Sequence, residues 1–327
     1  MEKRIVFNGK CLVELEDFEI SDLKDGEVKV RTHFSLMSTG TENIVFNRNF
    51  DPGTHWDKWV KYPFYPGYTC CGVVEELGKN VSSIKKGDRV AITRGHASAH
   101  IVSEADCIKI PDSISDSDAP WFKLAKISAM AARVANLSLG SSVLIVGAGP
   151  IGQMAIRWCS VAGSFPIIVV DSVKMRIEMA KKGGASHCIS KSLSESFEEI
   201  KKICGGDGPQ TVIDSTGHYQ VFQDVLKIAG KFGRVVILGD TGSPANQHLS
   251  SEVMTKGLHI VAAHDCHETP NWNFKIISNL FFEFVKSGKF SLEGLNTHIF
   301  EPEQYREAYK IANEKRGETM GILFKWN

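Results

Sequence analysis

Three glycines between an apolar strand and a helical segment form the strongest candidate binding motif of the chain. The segment VLIVGAGPIGQMAIRW places Gly147, Gly149 and Gly152 in a G-x-G-x-x-G arrangement that includes Pro150 and Ile151. Such glycines allow a tight turn, close approach of the backbone to a pyrophosphate and close helix–sheet packing. The N-terminus of the following helix offers N–H groups to the phosphates. A lone motif of this kind is weak, but the strand before it and the helix after it predict a dinucleotide-binding loop.

The acidic residue Asp171 predicts which dinucleotide binds. It ends the next apolar strand, PIIVVD, 24 residues after Gly147, near the spacing of about 20 residues at which a carboxylate meets the ribose hydroxyls of NAD. A carboxylate there repels the 2′-phosphate of NADP, so NAD is favoured over NADP. The alternative is a strand-end carboxylate that caps the following helix. Arg176 could reach a 2′-phosphate, but we expect it on the solvated face of the helical segment KMRIEMAKK.

Cysteines and histidines elsewhere raise the question of a metal site. Cys70 and Cys71 are adjacent in FYPGYTCCGVV, and successive side chains of a strand point to opposite faces. We therefore interpret them as small apolar residues of a tight barrel. His96 and His100, in the strand-like segment GHASAH, are expected to be structural. The run HDCHE at 264–268 has a metal-like spacing, but we expect a loop near a cleft or a dimer edge.

The elements that must position these residues change character along the chain. Residues 1–110 contain short β-rich runs separated by turn signals, which suits a partly open β-barrel or a sandwich. From about residue 121, apolar strands alternate with helical segments, which predicts a parallel sheet covered on both faces. After about residue 265 a helical stretch leads to the strand-like NTHIFEP, a short helix and the final strand GILFKW.

Composition narrows the function classes. The 327 residues (36.1 kDa) leave room for two domains, and 43% hydrophobic with 23% charged residues is ordinary for a globular protein. The formal net charge is zero, so no general attraction to nucleic acid or to an anionic membrane is expected. The sequence contains no apolar run of membrane-spanning length. Its eight cysteines show no secreted disulfide framework, so we expect a reduced, cytoplasmic enzyme or binding protein.

The strand-rich first part, the GAGPIG motif and the short C-terminal return together resemble the medium-chain dehydrogenase/reductase family over nearly the whole chain. PGYTCCGVVEELGKNVSSIKKGDRVA is similar to the family signature, in which a Pro-Gly-His-Glu-x-x-Gly turn precedes a Gly-Asp-x-Val strand. DSTGH, with Thr216, and KFGRVVILG, with Gly239, are similar to later strands of the family's cofactor domain.

The resemblance implies an α/β protein of two domains with the active site in the cleft between them. A GroES-like, β-rich catalytic domain would cover residues 1–120 and be completed by 265–327. A Rossmann domain with a doubly wound parallel sheet would bind NAD over residues 121–264.

The resemblance also implies which positions hold zinc in zinc-dependent members. The family's Cys-Gly-Thr-Asp turn matches Thr39–Glu42, its histidine ligand matches Tyr68, and its last ligand aligns approximately with Lys123. No imidazole or thiolate remains at these positions, and tetrahedral zinc needs such ligands. The lobe with four closely spaced cysteines that holds structural zinc is also missing. We therefore predict no metal, as in the sugar-dehydrogenase-like and bacteriochlorophyllide-dehydrogenase-like branch, where a Ser-x-Gly-Thr-Glu turn such as Ser38–Glu42 recurs.

Without zinc, other groups must stabilise the developing alkoxide of a substrate. The Lys123 ammonium could do so, or could form a salt bridge at a helix start, and Lys126 competes with it. Tyr68 could hydrogen-bond a substrate hydroxyl or fill the volume of the missing metal cluster.

The Thr39–Glu42 segment supplies the other candidate catalytic residues. Thr41 matches the family's proton-relay hydroxyl or caps the turn, and Ile44 interrupts the usual relay. Glu42 is the remaining acid–base group or holds the turn. Thr39 is assigned to the substrate.

The leading hypothesis is an NAD-dependent dehydrogenase of a secondary hydroxyl in a sugar, polyol or related metabolite. A zinc-free quinone or enoyl reductase that uses NADPH is the second hypothesis, and Asp171 argues against it. A non-catalytic NAD(H)-binding protein is the third. Trp56, in an aromatic-rich insert with His55 and Trp59, would stack on a sugar ring or pack in the core. The segment LHIVAAH resembles the family's dimer edge strand, so a homodimer is expected.

Overall fold

The structure is a computed structural model that describes residues 1–326 of the chain. Its strands are β1 (Glu2–Gly9), β2 (Leu12–Phe18), β3 (Glu27–Met37), β4 (Cys70–Leu77), β5 (Arg89–Ile92), β6 (Ala99–Ser103), β7 (Ile108–Lys109), β8 (Val143–Val146), β9 (Ile167–Val170), β10 (His187–Ile189), β11 (Thr211–Asp214), β12 (Arg234–Ile237), β13 (His259–Ala262), β14 (Asn296–Phe300) and β15 (Gly321–Lys325).

The helices lie mostly beyond residue 120, where they connect successive strands. They are α1 (Thr39–Asn47), α2 (His55–Trp59), α3 (Trp121–Val134), α4 (Pro150–Val161), α5 (Lys174–Lys182), α6 (Phe197–Ile203), α7 (Tyr219–Ile228), α8 (Glu252–Thr255), α9 (Phe274–Lys286) and α10 (Tyr305–Glu314).

The chain divides into two compact units. The first unit comprises Met1–Lys123, Ser278–Lys286 and the chain from Gly294 onward, and the second comprises Leu124–Ile277 and Ser287–Glu293. The chain thus re-enters the first unit at Ser278, whereas the sequence placed the return at residue 265.

The first unit is built on a mainly antiparallel sheet, in which the strand order is β14-β15-β3-β4-β5-β7 and β6 also pairs with β3. Strands β1 and β2 form a separate antiparallel pair. The long strand β3 pairs with β4 in the register Ser35↔Cys70. Next to this pair, the Leu36 N–H donates to the Thr69 carbonyl at 3.1 Å. The antiparallel register therefore brings the end of β3 beside the start of β4. This architecture is the predicted GroES-like domain.

An aromatic core fills the space between this sheet and helix α10. Phe7 contacts Tyr309 edge-on with ring centroids 5.1 Å apart, and Tyr309 stacks on Phe46 at 5.5 Å. Phe324 and Trp326 of the last strand segment are also buried in this cluster. Edge and offset ring contacts of this kind add to the free energy gained by burial alone, so the core fixes α10 against the first strands.

The second unit contains the parallel sheet that the alternating pattern predicted. Its strand order is β10-β9-β8-β11-β12-β13, and each neighbouring pair is parallel. Strands β8, β9 and β11 are buried along their whole length, as expected where helices cover both faces of a sheet. The carboxyl ends of all six strands share one edge, which is where α/β sheets bind ligands.

Among residues 1–326, no helix is both long enough and apolar enough to cross a membrane.

Gly72 offers a test of the β3–β4 register. A Cβ atom at Gly72 would lie 1.9 Å from the Arg31 carbonyl oxygen, which is backbone and cannot rotate away. We expect Gly72→Ala to lower the free energy of unfolding by about 1–3 kcal/mol or more, the usual cost of forcing atoms into a packed region. Urea unfolding followed by circular dichroism measures this loss.

Gly317→Ala is the matched control, because a Cβ at Gly317 meets nothing within 4 Å. Equal unfolding midpoints for the two variants would contradict the register described for β3 and β4.

Candidate active site

The glycine loop of the second unit has the strand–turn–helix geometry of a phosphate site. Gly147 follows β8 with φ +85°, a left-handed conformation that favours glycine. A Cβ on Gly152 would lie 2.0 Å from the Gly147 carbonyl oxygen. Gly149 caps helix α4, and Pro150 is its first residue. The loop therefore needs glycine at 147 and 152 for its own packing and leaves the first N–H groups of α4 without helical partners.

Contacts from neighbouring elements fix this loop. The Ala148 N–H donates to Asp171 Oδ2 at 2.7 Å, and Gln153 Nε2 donates to the Ala148 carbonyl at 3.0 Å. The Ser128 hydroxyl of α3 donates to the Ile151 carbonyl at 2.8 Å. Three hydrogen bonds from the protein itself thus fix the loop.

Asp171 accepts backbone hydrogen bonds from two neighbouring segments of the chain. Its Oδ2 accepts the Ala148 N–H, and its Oδ1 accepts the N–H of Val173, the residue that precedes α5, at 2.8 Å. Asp171 thus holds the segment that leads into α5, whose cap position is Val173. Each carboxylate oxygen still has a second lone pair, so the group can also accept hydrogen bonds from ribose hydroxyls.

The sequence predicted Arg176 on the solvated face of α5, but the structure places it elsewhere. Its side chain is 18% exposed, and its Nη1 lies 3.7 Å from Asp171 Oδ2. Because α5 begins at Lys174, Arg176 belongs to the first helical turn and can reach back to the carboxylate at the end of β9. Arg176 therefore lies beside the glycine loop and Asp171, and the solvated position that the sequence analysis preferred for it is wrong.

Thr216 and Gly239 lie at the ends of β11 and β12. The Thr216 N–H and hydroxyl both donate to Asp214 Oδ1, at 2.8 and 2.6 Å. Burial raises the pKa of Asp214, and the bonds from Thr216 oppose that rise. A Cβ on Gly239 would lie 2.3 Å from the Gly217 nitrogen. All the predicted cofactor-binding residues therefore lie at the carboxyl edge of the parallel sheet.

In the first unit, the carboxylate of Glu42 is the centre of a buried hydrogen-bond network. Glu42 is 2% exposed. It accepts the Ser38 N–H at 2.7 Å and the Tyr309 hydroxyl at 2.6 Å, and His96 Nε2 lies 3.1 Å from its Oε2. Burial and the neighbouring carboxylate raise the pKa of Tyr309 well above its ordinary value. His96 Nδ1 in turn lies 2.8 Å from the Ser35 hydroxyl.

This network changes the description of the Thr39–Glu42 segment. The sequence treated it as a turn, but Ser38 is the cap of helix α1, which begins at Thr39. Thr39 is buried and Thr41 is half-buried at the start of that helix. Because three partners within the unit surround the Glu42 carboxylate, holding this segment is the role that its geometry favours.

Tyr68 lies beside the cap of α1. Its hydroxyl donates to the Ser38 Oγ, and its ring is half-buried. Sequence reasoning named Tyr68 but missed Ser38 as its partner. The available signal was the Ser38–Glu42 pattern, in which a glutamate follows a serine by four residues.

The two lysines of α3 have different environments. Lys123 is 8% exposed near the helix start, whereas Lys126 is 1% exposed. Lys126 Nζ donates to Asp265 Oδ1 and Glu268 Oε1, both at 2.7 Å. Lys126 therefore holds the 264–268 loop and does not compete with Lys123 for a substrate role.

The acids of the HDCHE run are accordingly partners of Lys126. His264 Nδ1 lies 3.0 Å from Cys266 Sγ within the same loop. Among residues 1–326, no three His, Cys, Asp or Glu side chains are grouped so as to hold a metal ion.

Cys70 and Cys71 are both fully buried. Cys70 lies in an apolar cluster with Val74, Val90 and Ile92, and Cys71 Sγ donates to the Asp116 carbonyl at 2.9 Å. Burial raises the pKa of both thiols. Both cysteines therefore have the environment of small core residues, as the sequence predicted.

Trp56 is a correction to the predicted substrate residues. Its side chain is 4% exposed and lies in the aromatic core of the first unit. The ring packs against Phe50 at 6.5 Å and Trp59 at 5.7 Å between centroids. Because these rings cover it, the packing role that the sequence left open describes Trp56, and stacking on a sugar does not.

Family models and relatives match both parts of this geometry. An alcohol dehydrogenase GroES-like domain model matches residues 24–112, and a zinc-binding dehydrogenase model matches residues 150–272. D-guloside 3-dehydrogenase of Escherichia coli K12 is 25% identical over 98% of this chain and 100% of its own length. Sorbitol dehydrogenase of Bacillus subtilis 168 is 25% identical over 98% of this chain and 96% of its own.

The fold also matches solved structures. An alcohol dehydrogenase (rspB) from Escherichia coli CFT073, solved in complex with NADH, superposes with a TM-score of 0.82 over 99% of both chains at 21% identity. This likeness concerns the fold.

Glu42→Gln tests the buried network. The amide keeps the volume of the carboxylate but has one acceptor oxygen in place of two, so at least one of the three partners of Glu42 loses its acceptor. We expect a loss of about 1–3 kcal/mol in the free energy of unfolding, the cost of a buried donor without a partner. Urea unfolding measures it.

Glu318→Gln is the control, because Glu318 is an exposed partner of Lys315 and exposed pairs contribute little. If Glu42→Gln unfolds at the same urea concentration as this control, the network does not stabilise the unit.

Proposed function

Because the chain belongs to the medium-chain, zinc-type dehydrogenase family, we propose that it oxidises a secondary hydroxyl of a sugar, a polyol or a related polar metabolite, with NAD and without zinc. That the chain is a dehydrogenase acting on CH–OH groups follows from its family. The use of NAD, the absence of zinc and the sugar or polyol substrate are proposals.

The observation that carries the cofactor assignment is the Asp171 carboxylate at the end of β9. It is bonded to the glycine loop through Ala148, so its position relative to the phosphate-binding N–H groups is fixed. A carboxylate so placed accepts ribose hydroxyls and repels a 2′-phosphate.

The names of the similar enzymes support the substrate class. The guloside and sorbitol dehydrogenases, each aligned over 98% of this chain, act on sugar or polyol hydroxyls. NAD, which the glycine loop and Asp171 would hold, would supply the acceptor for the hydride of the substrate carbon. The residues of this chain must then bind the hydroxyl and remove its proton.

The donor groups of the first unit do not fit a catalytic zinc ion. The positions that carry ligands in the zinc-dependent enzymes hold Thr39, Tyr68 and Lys123. Two neutral hydroxyls and an ammonium are not the thiolate, imidazole or carboxylate donors that zinc takes. The Tyr68 hydroxyl is moreover already bonded to Ser38. The proposed mechanism therefore uses no metal ion.

The same residues suit direct binding of the substrate oxygen. Lys123 stabilises the developing negative charge as an ammonium, and Tyr68 and Thr41 hydrogen-bond the hydroxyl. Thr39 contacts the substrate beside them. Glu42 acts as a positioning residue, because its carboxylate holds Ser38, His96 and Tyr309.

We also propose that the protein is a homodimer joined through β13. This strand is the last of the six-stranded sheet and pairs only with β12 among residues 1–326. An unpaired strand edge is a ready site for pairing with a second copy. Light scattering of the purified protein at twice the mass of 36.1 kDa would support this assembly.

Asp171→Ser tests the cofactor assignment. Removing the carboxylate removes its repulsion of a 2′-phosphate and its bonds to ribose, so the preference for NAD over NADP should fall at least about tenfold, equivalent to about 1.4 kcal/mol. The ratio of kcat/KM for the two cofactors measures it.

Asp207→Ser removes an exposed carboxylate of the same unit and should leave the ratio unchanged. An unchanged ratio in Asp171→Ser as well would refute the role of Asp171 in cofactor selection.

The function itself is tested by an assay on protein of known metal content. Sugars, polyols, glycosides and quinones are screened with NAD(H) and NADP(H), after mass spectrometry has measured zinc in protein purified without added metal. We expect NAD-linked oxidation of a hydroxylated substrate with far less than one zinc per chain. We also expect Lys123→Ala to lower kcat by about 100-fold or more, as for loss of one group that stabilises an oxyanion.

The control is Lys315→Ala, an exposed lysine of the first unit paired with Glu318. Stoichiometric zinc would overturn the metal-free mechanism. Reduction of quinones with NADPH would assign the chain to reductases, and cofactor binding without any turnover would indicate a non-catalytic NAD(H)-binding protein.

A further inference from the structure

Ser38 occupies a helix-cap position without performing the usual task of a cap. A serine at this position normally accepts an N–H of the first helical turn through its hydroxyl. In α1 the Ser38 side chain makes no such bond. By contrast, Thr54 caps α2 by accepting the Asp57 N–H, and Ser103 accepts the Ala105 N–H in the same way.

Other groups fix Ser38 in place. Its backbone N–H donates to Glu42 at 2.7 Å, and the residue itself is 3% exposed. Its hydroxyl oxygen accepts the phenol of Tyr68. The side chain is thus diverted from stabilising the helix to binding a phenol.

The Tyr68 backbone is held on both sides. Gly67 has φ +85°, and a Cβ there would lie 2.8 Å from the His96 ring. The Thr69 hydroxyl donates to the Pro120 carbonyl at 2.5 Å, and the Leu36 N–H donates to the Thr69 carbonyl at 3.1 Å. The phenol therefore meets Ser38 in a preorganised arrangement, while its ring keeps partial exposure.

We propose that Tyr68 is the base that removes the proton of the substrate hydroxyl and that Ser38 is the positioning residue that makes it one. This inference rests on the proposed function. In the structure the neutral phenol donates to Ser38; in the ionised state the Ser38 hydroxyl donates to the phenolate, and because a hydrogen bond to a charged group is the stronger of the two, this exchange lowers the pKa. Ser38 can do so by rotating its O–H toward Tyr68 once the phenol has lost its proton.

The proton and electron balance is complete with the groups named. The substrate carbon loses a hydride to NAD, and the substrate oxygen loses its proton to the Tyr68 phenolate. A C=O bond forms as the C–H and O–H bonds break. The Tyr68 proton then passes to water, directly or through the Ser38 hydroxyl, so each turnover releases one proton.

Ionisable side chains on the surrounding elements set the conditions for this titration. Glu42 on α1 binds the Ser38 backbone and disfavours a second negative charge. His96, beneath Gly67, is bonded to Glu42. Lys123 lies three residues after Pro120, the acceptor of Thr69, and the proposal gives its ammonium the role of favouring the phenolate.

The first experiment needs no substrate. Ultraviolet difference titration of wild type against Tyr68→Phe reports the pKa of Tyr68, which we expect below the ordinary value of about 10. Ser38→Ala should raise that pKa by about 1, the equivalent of one hydrogen bond to a charged group. Ser38→Thr keeps the hydroxyl and should restore the wild-type value.

The second experiment uses a substrate that wild type oxidises with NAD. Its kcat/KM should rise with pH through the pKa of Tyr68, because the ionised form is the base. Ser38→Ala should move that rise to higher pH. Tyr68→Phe should abolish it and lower kcat about 10²–10⁴-fold, the usual contribution of a general base.

Ser103→Ala and Tyr65→Phe are the controls, since Ser103 is an ordinary cap and the exposed Tyr65 binds Arg4. One contrary result is that wild type oxidises the substrate while Ser38→Ala changes neither the Tyr68 titration nor the pH profile. That result would overturn the role of the Ser38–Tyr68 pair and leave the proposed function intact. Absence of any NAD-linked oxidation by wild type would overturn both.

Discussion

The arrangement of the first unit depends on one buried negative charge, the carboxylate of Glu42. A carboxylate removed from water is costly unless hydrogen bonds replace its solvation. Ser38, Tyr309 and His96 supply them from the start of α1, from α10 and from the segment before β6. The charge therefore ties together three parts of the chain that are far apart in sequence. A displacement of any of them would leave the carboxylate underpaired, so the network specifies one geometry.

The second unit uses carboxylates in a related way. Asp171 directly follows β9 and accepts N–H groups from both the glycine loop and the residue that precedes α5. Asp214 ends β11 and binds Thr216 twice. In each case a strand ends in an acid that fixes the loop after it, so the loops that face a dinucleotide are ordered by the protein. A cofactor then binds without the entropic cost of ordering them.

Periodicity and glycine spacing were enough to predict the parallel sheet, the β-rich domain and the strand–turn–helix around Gly147, because these features depend on neighbours within about 30 residues. The partners of Glu42 were not predictable, since Tyr309 lies 267 residues away. Trp56 illustrates the same limit. Its insert reads as an aromatic surface, but the rings that bury it become neighbours only in the folded core.

Helix α1 and the position of Arg176 were predicted wrongly for local reasons. The segment STGTENIVFN contains glycine and two threonines with poor helix propensity, so a turn was the better prediction. The helix forms because Glu42 accepts the Ser38 N–H and tertiary packing buries Val45. Arg176 belongs to a helix of high charge, which suggested solvent on all sides, yet the carboxylate of Asp171 attracts it to the sheet edge.

The roles proposed for Lys123, Tyr68 and Ser38 divide what a zinc ion does alone. A catalytic zinc ion lowers the pKa of its bound water to about 7, whereas a phenol with a pKa of about 10 is ionised in only about one molecule in a thousand at pH 7. A hydrogen bond from Ser38 recovers about tenfold of that deficit. The proposal assigns the rest to the charge of the Lys123 ammonium, which would act on the phenolate and on the alkoxide that forms from the substrate. Neither group can replace the other, because a donor without the cation leaves too little phenolate, and a cation without the base has no group to receive the proton.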